Sequence, residues 1–176
     1  FIPHTDGVNA EHGFVSMLPM GDNQVFATWL DGRFTKSEEM NPDGKMERGA
    51  MSLRAGIFDE NGAMVEEWEL DHRVCDCCQT SATMTANGPV VVYRNRTDKE
   101  IRDMSIVRLI DGEWTAPEII HADDWEIPGC PVNGPSIAST GNATAVSWFT
   151  ASGGNPMVKL AVSNDAGANF SAPITI

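Results

Sequence analysis

The chain has 176 residues, of which 41% are hydrophobic and 21% charged, and it carries a formal net charge of −13 at pH 7. This length and apolar content suffice to bury a hydrophobic core. The negative charge disfavours nucleic acid and anionic membranes as partners, and no apolar run is long enough to span a bilayer. Because the chain begins at Phe1 rather than Met, we expect it to be part of a longer or processed protein.

An N-terminal arm, residues 1–11, precedes a first unit, residues 12–71, in which apolar and polar residues alternate over four segments. Such alternation, bounded by turns rich in Gly, Asn and Asp, is typical of half-buried strands. Between the second and third segments, the charged stretch 34–48 is predicted to be a short surface helix or a disordered loop. The four predicted strands are Gly13–Met20, Gln24–Asp31, Met51–Asp59 and Ala63–Leu70.

The same order of strands and turns recurs in residues 72–121 and 122–176. Repetition of one four-stranded unit at a spacing of this size is typical of β-propeller blades. The sequence therefore predicts an all-β fold of three four-stranded antiparallel blades in one partial domain. The predicted strands of the two later units are Gln79–Ala86, Pro89–Arg96, Met104–Ile110, Thr115–His121, Pro135–Thr140, Ala143–Thr150, Met157–Ser163 and Ala172–Ile176.

The last unit contains the octapeptide Ser163–Phe170, with the order Ser-x-Asp-x-Gly-x-x-Phe. The Ser163 and Asp165 side chains can bond turn backbone groups, and Gly167 permits a positive φ. This order resembles the Asp-box, or bacterial neuraminidase repeat, of sialidase-like β-propellers. The motif defines a turn rather than an activity, so we exclude it from the candidate site.

The resemblance implies half of a six-bladed propeller, because the family's propellers have six blades and this chain has three units. Either a missing half-propeller or a second copy of the chain is then expected to cover the open edges of the end blades. Proteins with this motif are mostly exported, which implies a periplasmic or extracellular location. A small molecule or a glycan is the expected ligand, and neither nucleic acid nor a membrane span is expected.

Four cysteines fall on the two connections between units: Cys75, Cys77 and Cys78 on the first, and Cys130 on the second. Alignment of the repeats places Cys78 and His12 at equivalent positions, where the innermost strand of a blade begins. In a propeller these positions surround the mouth of the central channel. We therefore expect the four cysteines to form one cluster, with His12 nearby.

Three interpretations of this cluster are open. In an exported protein, Cys130 would form a disulfide with Cys77 or Cys78. Alternatively, thiolates and an imidazole would bind copper or zinc, because both metals accept such soft ligands. The metal ligands would then be Cys75, Cys77, Cys78, Cys130 and His12. The third interpretation is a set of inert thiols.

Sialidase activity is implied only by the resemblance, since the family holds a sugar carboxylate with three arginines and uses a Tyr–Glu nucleophile pair and an acidic Asp. The family's Arg-Ile-Pro signature is absent, because Phe1 precedes Ile2 and Pro3. The only tyrosine, Tyr93, is expected to pack in the blade, and we expect weak or no sialidase activity. Residues of suitable type on the expected functional face are Arg33, Arg73, Arg94, Arg96, Asp31, Asp98, Asp123 and Asp124.

Three functions are therefore compatible with the sequence. The first is a sialidase-like propeller that binds carbohydrate or another ligand, extended by glycoside hydrolase activity. The second is a non-catalytic propeller with a Cys/His copper or zinc site at the channel mouth. The third is a structural assembly module whose open edges pair with another chain. Fold alone does not choose among them.

Overall fold

The computed structural model describes His4, residues 6–40, Gly44 and residues 46–176. Within these residues the regular structure is β, apart from a 3₁₀ turn at Ser152–Gly154. The strands form three main antiparallel sheets and one small ribbon, so the all-β prediction is confirmed for the described residues. Among the same residues, no helix is both long and apolar enough to cross a membrane.

The first sheet has the strand order β1-β2-β5-β6, with a separate two-stranded ribbon, β3–β4, inserted between β2 and β5. The ribbon stands within the stretch 34–48, for which a short surface helix or a disordered loop was predicted. Its residues Glu38 and Arg48, of opposite charge, are cross-strand partners. The strands are β1 (His12–Pro19), β2 (Val25–Asp31), β3 (Glu38–Met40), β4 (Met46–Arg48), β5 (Met51–Phe58) and β6 (Met64–Val74).

The second sheet departs from prediction in its last strand, because two short strands replace Thr115–His121 and both pair with the same neighbour. The tight turn at Asp111–Gly112 starts pairing early, with positive φ at both residues. Pro117 then lies between the two short strands and has no N–H to continue a ladder. The strands are β7 (Ser81–Thr85), β8 (Gly88–Arg94), β9 (Met104–Ile110), β10 (Glu113–Trp114) and β11 (Glu118–His121).

The third sheet is a plain four-stranded meander in the order β12-β13-β14-β15. Its two central strands have the predicted bounds, and its last strand is shorter than predicted. The strands are β12 (Ser136–Thr140), β13 (Ala143–Thr150), β14 (Met157–Ser163) and β15 (Ile174–Thr175).

The second sheet lies between the other two and is covered on both faces. Along β8, Val91 and Tyr93 belong to the core shared with the first sheet, whereas Val90 and Val92 belong to the core shared with the third. Alternation of side chains along a strand sends successive residues to opposite faces. A continuous apolar run therefore marks the one sheet that is buried on both sides.

The first strands of the three sheets, β1, β7 and β12, are neighbours and are linked by hydroxyl groups. The Thr80 hydroxyl, just before β7, donates to the Phe14 carbonyl (2.7 Å). The Ser81 hydroxyl accepts the Ile137 N–H (3.1 Å), and the Ser139 hydroxyl donates to the Met84 carbonyl. These bonds fix the relative positions of the connections that lead into the first strands, where the cysteines lie.

The turn after β14 is held by its own side chains. The Ser163 hydroxyl donates to Asp165 Oδ1 (2.6 Å) and accepts the Gly167 N–H (2.9 Å). Asp165 Oδ1 in turn accepts the Asn169 N–H (2.9 Å). The Ser163 hydrogen bond acts first, and the bonds from Asn169 next, to lower the pKa of Asp165 to about 2.

We predict that Ser163→Ala destabilises the fold by about 1–3 kcal/mol, because Ser163 is buried and its loss leaves turn N–H groups unpaired. Denaturant unfolding measures the change. The neighbouring Asn164 is exposed, so Asn164→Ala is the control and should leave the free energy of unfolding nearly unchanged. Equal unfolding midpoints for the two variants would contradict the role given to Ser163.

Candidate metal centre

The first three cysteines occupy a turn between the first and second sheets that is anchored at its start. Strand β6 ends at Val74, which pairs with Asn95 across the sheet boundary. The Cys75 N–H then donates to the Arg94 carbonyl (3.0 Å). We call residues 75–78 the cysteine turn. The backbone of the cysteine turn is therefore hydrogen-bonded to the second sheet at its first residue, Cys75.

Three sulfurs converge in the cysteine turn. Cys75 Sγ lies 3.2 Å from Cys78 Sγ and 4.0 Å from Cys77 Sγ, and all three sulfurs lie within 4.8 Å of one another. Cys75 and Cys78 are buried, Cys77 is half-buried and Cys130 is exposed. The turn therefore offers three soft ligand atoms in one place, close to solvent on the Cys77 side.

Cys130 lies against Cys77, and their interaction is one of the causes that raise the pKa of Cys77. All four cysteines are free thiols in the structure. The disulfide between Cys130 and Cys77 or Cys78 therefore stays a prediction.

The buried Arg102 contacts the same sulfurs. Its Nη1 donates to Cys75 Sγ (3.2 Å), and its Nη2 binds Glu100 Oε2 (2.6 Å). The hydrogen bond between Cys78 and Cys75, followed by the Cys77 backbone N–H and Arg102, lowers the pKa of Cys75 to about 5. The same bond raises the pKa of Cys78. The pair formed by Cys75 and Cys78 therefore releases one proton below the usual pKa of a thiol.

The third sulfur, Cys77 Sγ, keeps its proton. Burial, and then the contact with Cys130, raises the pKa of Cys77 to about 12. Only deprotonated cysteines act as metal ligands. A metal ion can therefore bind these sulfurs by displacing their remaining protons.

Arg94, one of the candidates for holding a sugar carboxylate, is bonded within the chain. It is buried, and its guanidinium donates to the carbonyls of Asn133 (3.0 Å), Arg102 (2.7 Å) and Phe149 (2.8 Å). It also lies 5.0 Å from the centre of the Trp125 ring. Its donors are committed to the backbone, so Arg94 braces the loops around the cysteine turn.

Three further predicted residues, Arg73, Arg96 and Asp98, are brought together in one cleft of about 490 Å³ beside the cysteine turn. The two arginines differ in how they are bonded. Arg96 binds Glu100 and Asp76 (both 2.8 Å), whereas Arg73 Nε lies 3.4 Å from the exposed Asp98 and has no hydrogen-bond partner among the described residues. Arg96 is therefore committed to partners within the chain, and Arg73 is not.

The remaining predicted residues make contacts of their own. His12 is grouped with His4 and Asp6 and is not in the group of three sulfurs; Asp6 binds His12 Nε2 (3.2 Å). Arg33 forms two 2.8 Å bonds to the Asp31 carboxylate.

Asp31 is unsuited to act as an acid at neutral pH. Burial raises its pKa, but hydrogen bonds from Arg33 and Trp29 outweigh burial and hold the pKa well below its usual range. Tyr93 packs as expected, and its hydroxyl donates to Asp71 (2.6 Å). Asp123 is bound by Trp148 Nε1 (2.7 Å) and Lys159. The Asp124 N–H donates to Asp103 (2.9 Å).

No family model matches the chain, and no curated protein matches it. Among solved structures the chain is similar to the Hadza microbial sialidase Hz136, with 21% identity and a TM-score of 0.41 over 75% of this chain. The chain spans 35% of the length of that sialidase. At this TM-score the likeness carries no argument about fold or activity.

We predict that the metal-free protein keeps one thiolate down to about pH 5, far below the pKa of roughly 8.5 for a free cysteine. The physical reason is the hydrogen bond between Cys75 and Cys78, together with the bond from Arg102 to Cys75. Ultraviolet thiolate absorption during an acid titration measures it. Cys75→Ser should remove the step near pH 5, whereas Cys77→Ser should retain it. A single thiolate step above pH 8 in the unmodified protein would refute this assignment.

Proposed function

We propose that the cysteine turn binds one soft metal ion, copper(I) or zinc, through Cys75, Cys77 and Cys78. The observation that carries the proposal is the convergence of three sulfurs within 4.8 Å of one another. A metal–sulfur bond of about 2.3 Å in tetrahedral geometry separates sulfurs by roughly 3.8 Å. The separations of 3.2 and 4.0 Å bracket that value.

The charges around the turn favour this ligand set. Three thiolates exceed the charge of one zinc or copper(I) ion, so the occupied site has a net negative charge. A buried net charge is costly unless opposite charges compensate it. Arg102 donates to Cys75, and Arg94 acts electrostatically on both Cys75 and Cys78. The two guanidinium groups therefore offset the excess charge of the thiolates.

Sialoside hydrolysis is not part of the proposal. The family's reaction needs arginines that are free to hold a carboxylate, whereas Arg33, Arg94 and Arg96 are bonded within the chain. Tyr93 is buried, so its hydroxyl cannot reach a sugar. Metal binding would use the three sulfurs that the fold brings together, whereas three of the four candidate arginines are already bonded.

The test is metal binding by the reduced chain. We expect one equivalent of copper(I) or zinc per chain, measured by competition against a chromogenic chelator. Cys75→Ser should weaken binding by more than roughly 100-fold, the upper range for loss of an outer-shell partner. Cys75 is chosen because it contacts both other sulfurs and Arg102.

Cys130→Ser is the matched control, since it also removes one thiol but lies outside the group of three sulfurs. We expect it to keep one equivalent of metal and to weaken affinity less than Cys75→Ser does. An equal loss of metal affinity in both variants would mean that Cys130 is a fourth ligand. Absence of copper and zinc binding in the reduced, folded chain would refute the proposed function.

We further propose that the three sheets are blades of a larger sialidase-like propeller. The second sheet is covered on both faces, whereas each end sheet keeps an exposed apolar surface. On the first sheet these residues include Val15, Met17 and Val25, and on the third they include Val162 and Ile174. Further blades, from a second copy or from the rest of a longer chain, would cover both surfaces.

Light scattering with a dye that binds apolar surfaces tests this arrangement. A mass of twice 19.1 kDa would identify a second copy as the cover. A monomer that binds the dye, and loses part of that binding in Met17→Lys, would identify the rest of a longer chain. A monomer that binds no dye and unfolds cooperatively would contradict the blade proposal, because its end surfaces would need no cover.

A further inference from the structure

Cys130 lies on a loop whose far end is held against the cysteine turn. We call residues 129–134 the Cys130 loop. The Gly134 N–H, at the end of this loop, donates to Oε1 of Gln79 (2.9 Å), the residue that follows the cysteine turn. A Cβ at Gly134 would collide with the Gln79 backbone. The absence of a side chain at Gly134 therefore permits this close approach.

The middle of the Cys130 loop contacts the sulfurs of the cysteine turn. The Val132 N–H interacts with the Cys77 sulfur, and the Asn133 N–H interacts with the Cys78 sulfur. Cys130 itself lies against Cys77. The loop therefore brings a fourth sulfur to the side of the turn that is close to solvent.

Exposure to solvent divides the four thiols into two pairs. Cys75 and Cys78, whose sulfurs are 3.2 Å apart, are only 1% and 2% exposed. Cys77 is half-buried and Cys130 is exposed. Thiol–disulfide exchange requires a thiol that the oxidant can reach. A dissolved disulfide therefore meets Cys130 first, and Cys77 is the thiol beside it.

We propose that Cys77 and Cys130 form a reversible disulfide that removes Cys77 from the metal site. The proposal rests on the proposed function, because it concerns control of the same sulfurs. Cysteine binds a metal as the thiolate, and a sulfur in a disulfide is no longer a thiolate. The oxidised chain would keep only Cys75 and Cys78 as sulfur ligands. Metal binding at three sulfurs and formation of this disulfide then exclude each other.

The oxidant is a low-molecular-weight disulfide, for which oxidised glutathione is the probe. The Cys130 thiolate attacks one of its sulfurs, the S–S bond breaks and one glutathione thiolate leaves. The Cys77 thiolate then attacks the Cys130 sulfur of this mixed disulfide, and the second glutathione thiolate leaves. The protons of the two cysteine thiols pass to the two leaving thiolates. Two electrons thus pass from the cysteines to the oxidant, which is reduced to two thiols.

The first test adds oxidised glutathione to the reduced, metal-free chain. We expect two of the four thiols to be lost, and peptide mapping by mass spectrometry to find Cys77 linked to Cys130. Dithiothreitol should restore all four thiols. This measurement needs no metal, so its outcome is separate from that of the proposed function.

Two glycines of the Cys130 loop provide a matched pair of variants. Gly134→Ala introduces a Cβ that collides with Gln79, whereas a Cβ at Gly129 meets no atom within 4 Å. Gly134→Ala should slow formation of the disulfide at least roughly tenfold, because the two thiols are no longer held in position. Gly129→Ala should leave the rate unchanged. If circular dichroism shows that Gly134→Ala is unfolded, the peptide map of the unmodified chain decides.

The second test measures zinc affinity before and after oxidation, once glutathione has been removed. Copper(I) without air replaces zinc if the reduced chain binds only copper. The oxidised chain should bind the metal at least roughly tenfold more weakly, and metal bound to the reduced chain should protect Cys77 from the oxidant. Cys130→Ser should bind the metal equally well with and without the oxidant, because it cannot form the disulfide.

Two results would overturn the proposal. One is a metal-free chain in which oxidised glutathione does not link Cys77 to Cys130, including a chain whose only disulfide joins Cys75 to Cys78. The other is an oxidised chain that binds the metal as tightly as the reduced chain. Failure of the reduced chain to bind either metal, with the disulfide formed, would instead refute the proposed function.

Discussion

Two buried guanidinium groups position the cysteine turn. Arg94 bonds to three carbonyl oxygens, one of which belongs to Arg102, and Arg102 bonds to Cys75 Sγ. A buried charge without such partners would be strongly destabilising. These bonds join the second sheet, the connection to the third sheet and the turn into one unit. The positions of the sulfurs therefore depend on residues that carry no ligand atom.

Three of the candidate arginines are bonded within the chain. Arg33 binds Asp31, Arg94 donates to backbone carbonyls and Arg96 binds Glu100. The sulfurs of the cysteine turn are accompanied by Arg102, which donates to Cys75 Sγ, and by the buried Arg94. A site of this kind would bind a soft cation more favourably than an anionic sugar, in keeping with the net charge of −13.

The strands could be predicted from sequence because their signal is local. Alternation and turn residues gave Met104–Ile110, Ala143–Thr150 and Met157–Ser163 with the bounds that the structure has. The proximity of Cys75, Cys77 and Cys78 was also predictable, since they lie within four residues. The break around Pro117 was visible in the sequence as a residue without an N–H, but the early start of β10 was not.

The roles of the arginines could not be predicted, because they depend on contacts between distant residues. Arg94 reaches Asn133 and Phe149, which lie 39 and 55 residues away. Arg102 stands in a polar loop where its spacing gives no sign that it will be buried. The partners of His12 were hidden for a related reason: repeat alignment indicates where a backbone position lies, not which carboxylate its side chain contacts.

X-ray absorption at the metal edge is the most direct measurement of the central claim, that the arginine-braced cysteine turn is a soft-metal site. The account predicts, for the chain loaded with one equivalent of copper(I), a first shell of sulfur at about 2.3 Å. Three sulfur neighbours correspond to Cys75, Cys77 and Cys78. A first shell made of nitrogen and oxygen alone would contradict the account, because the metal would then be bound by none of the three sulfurs.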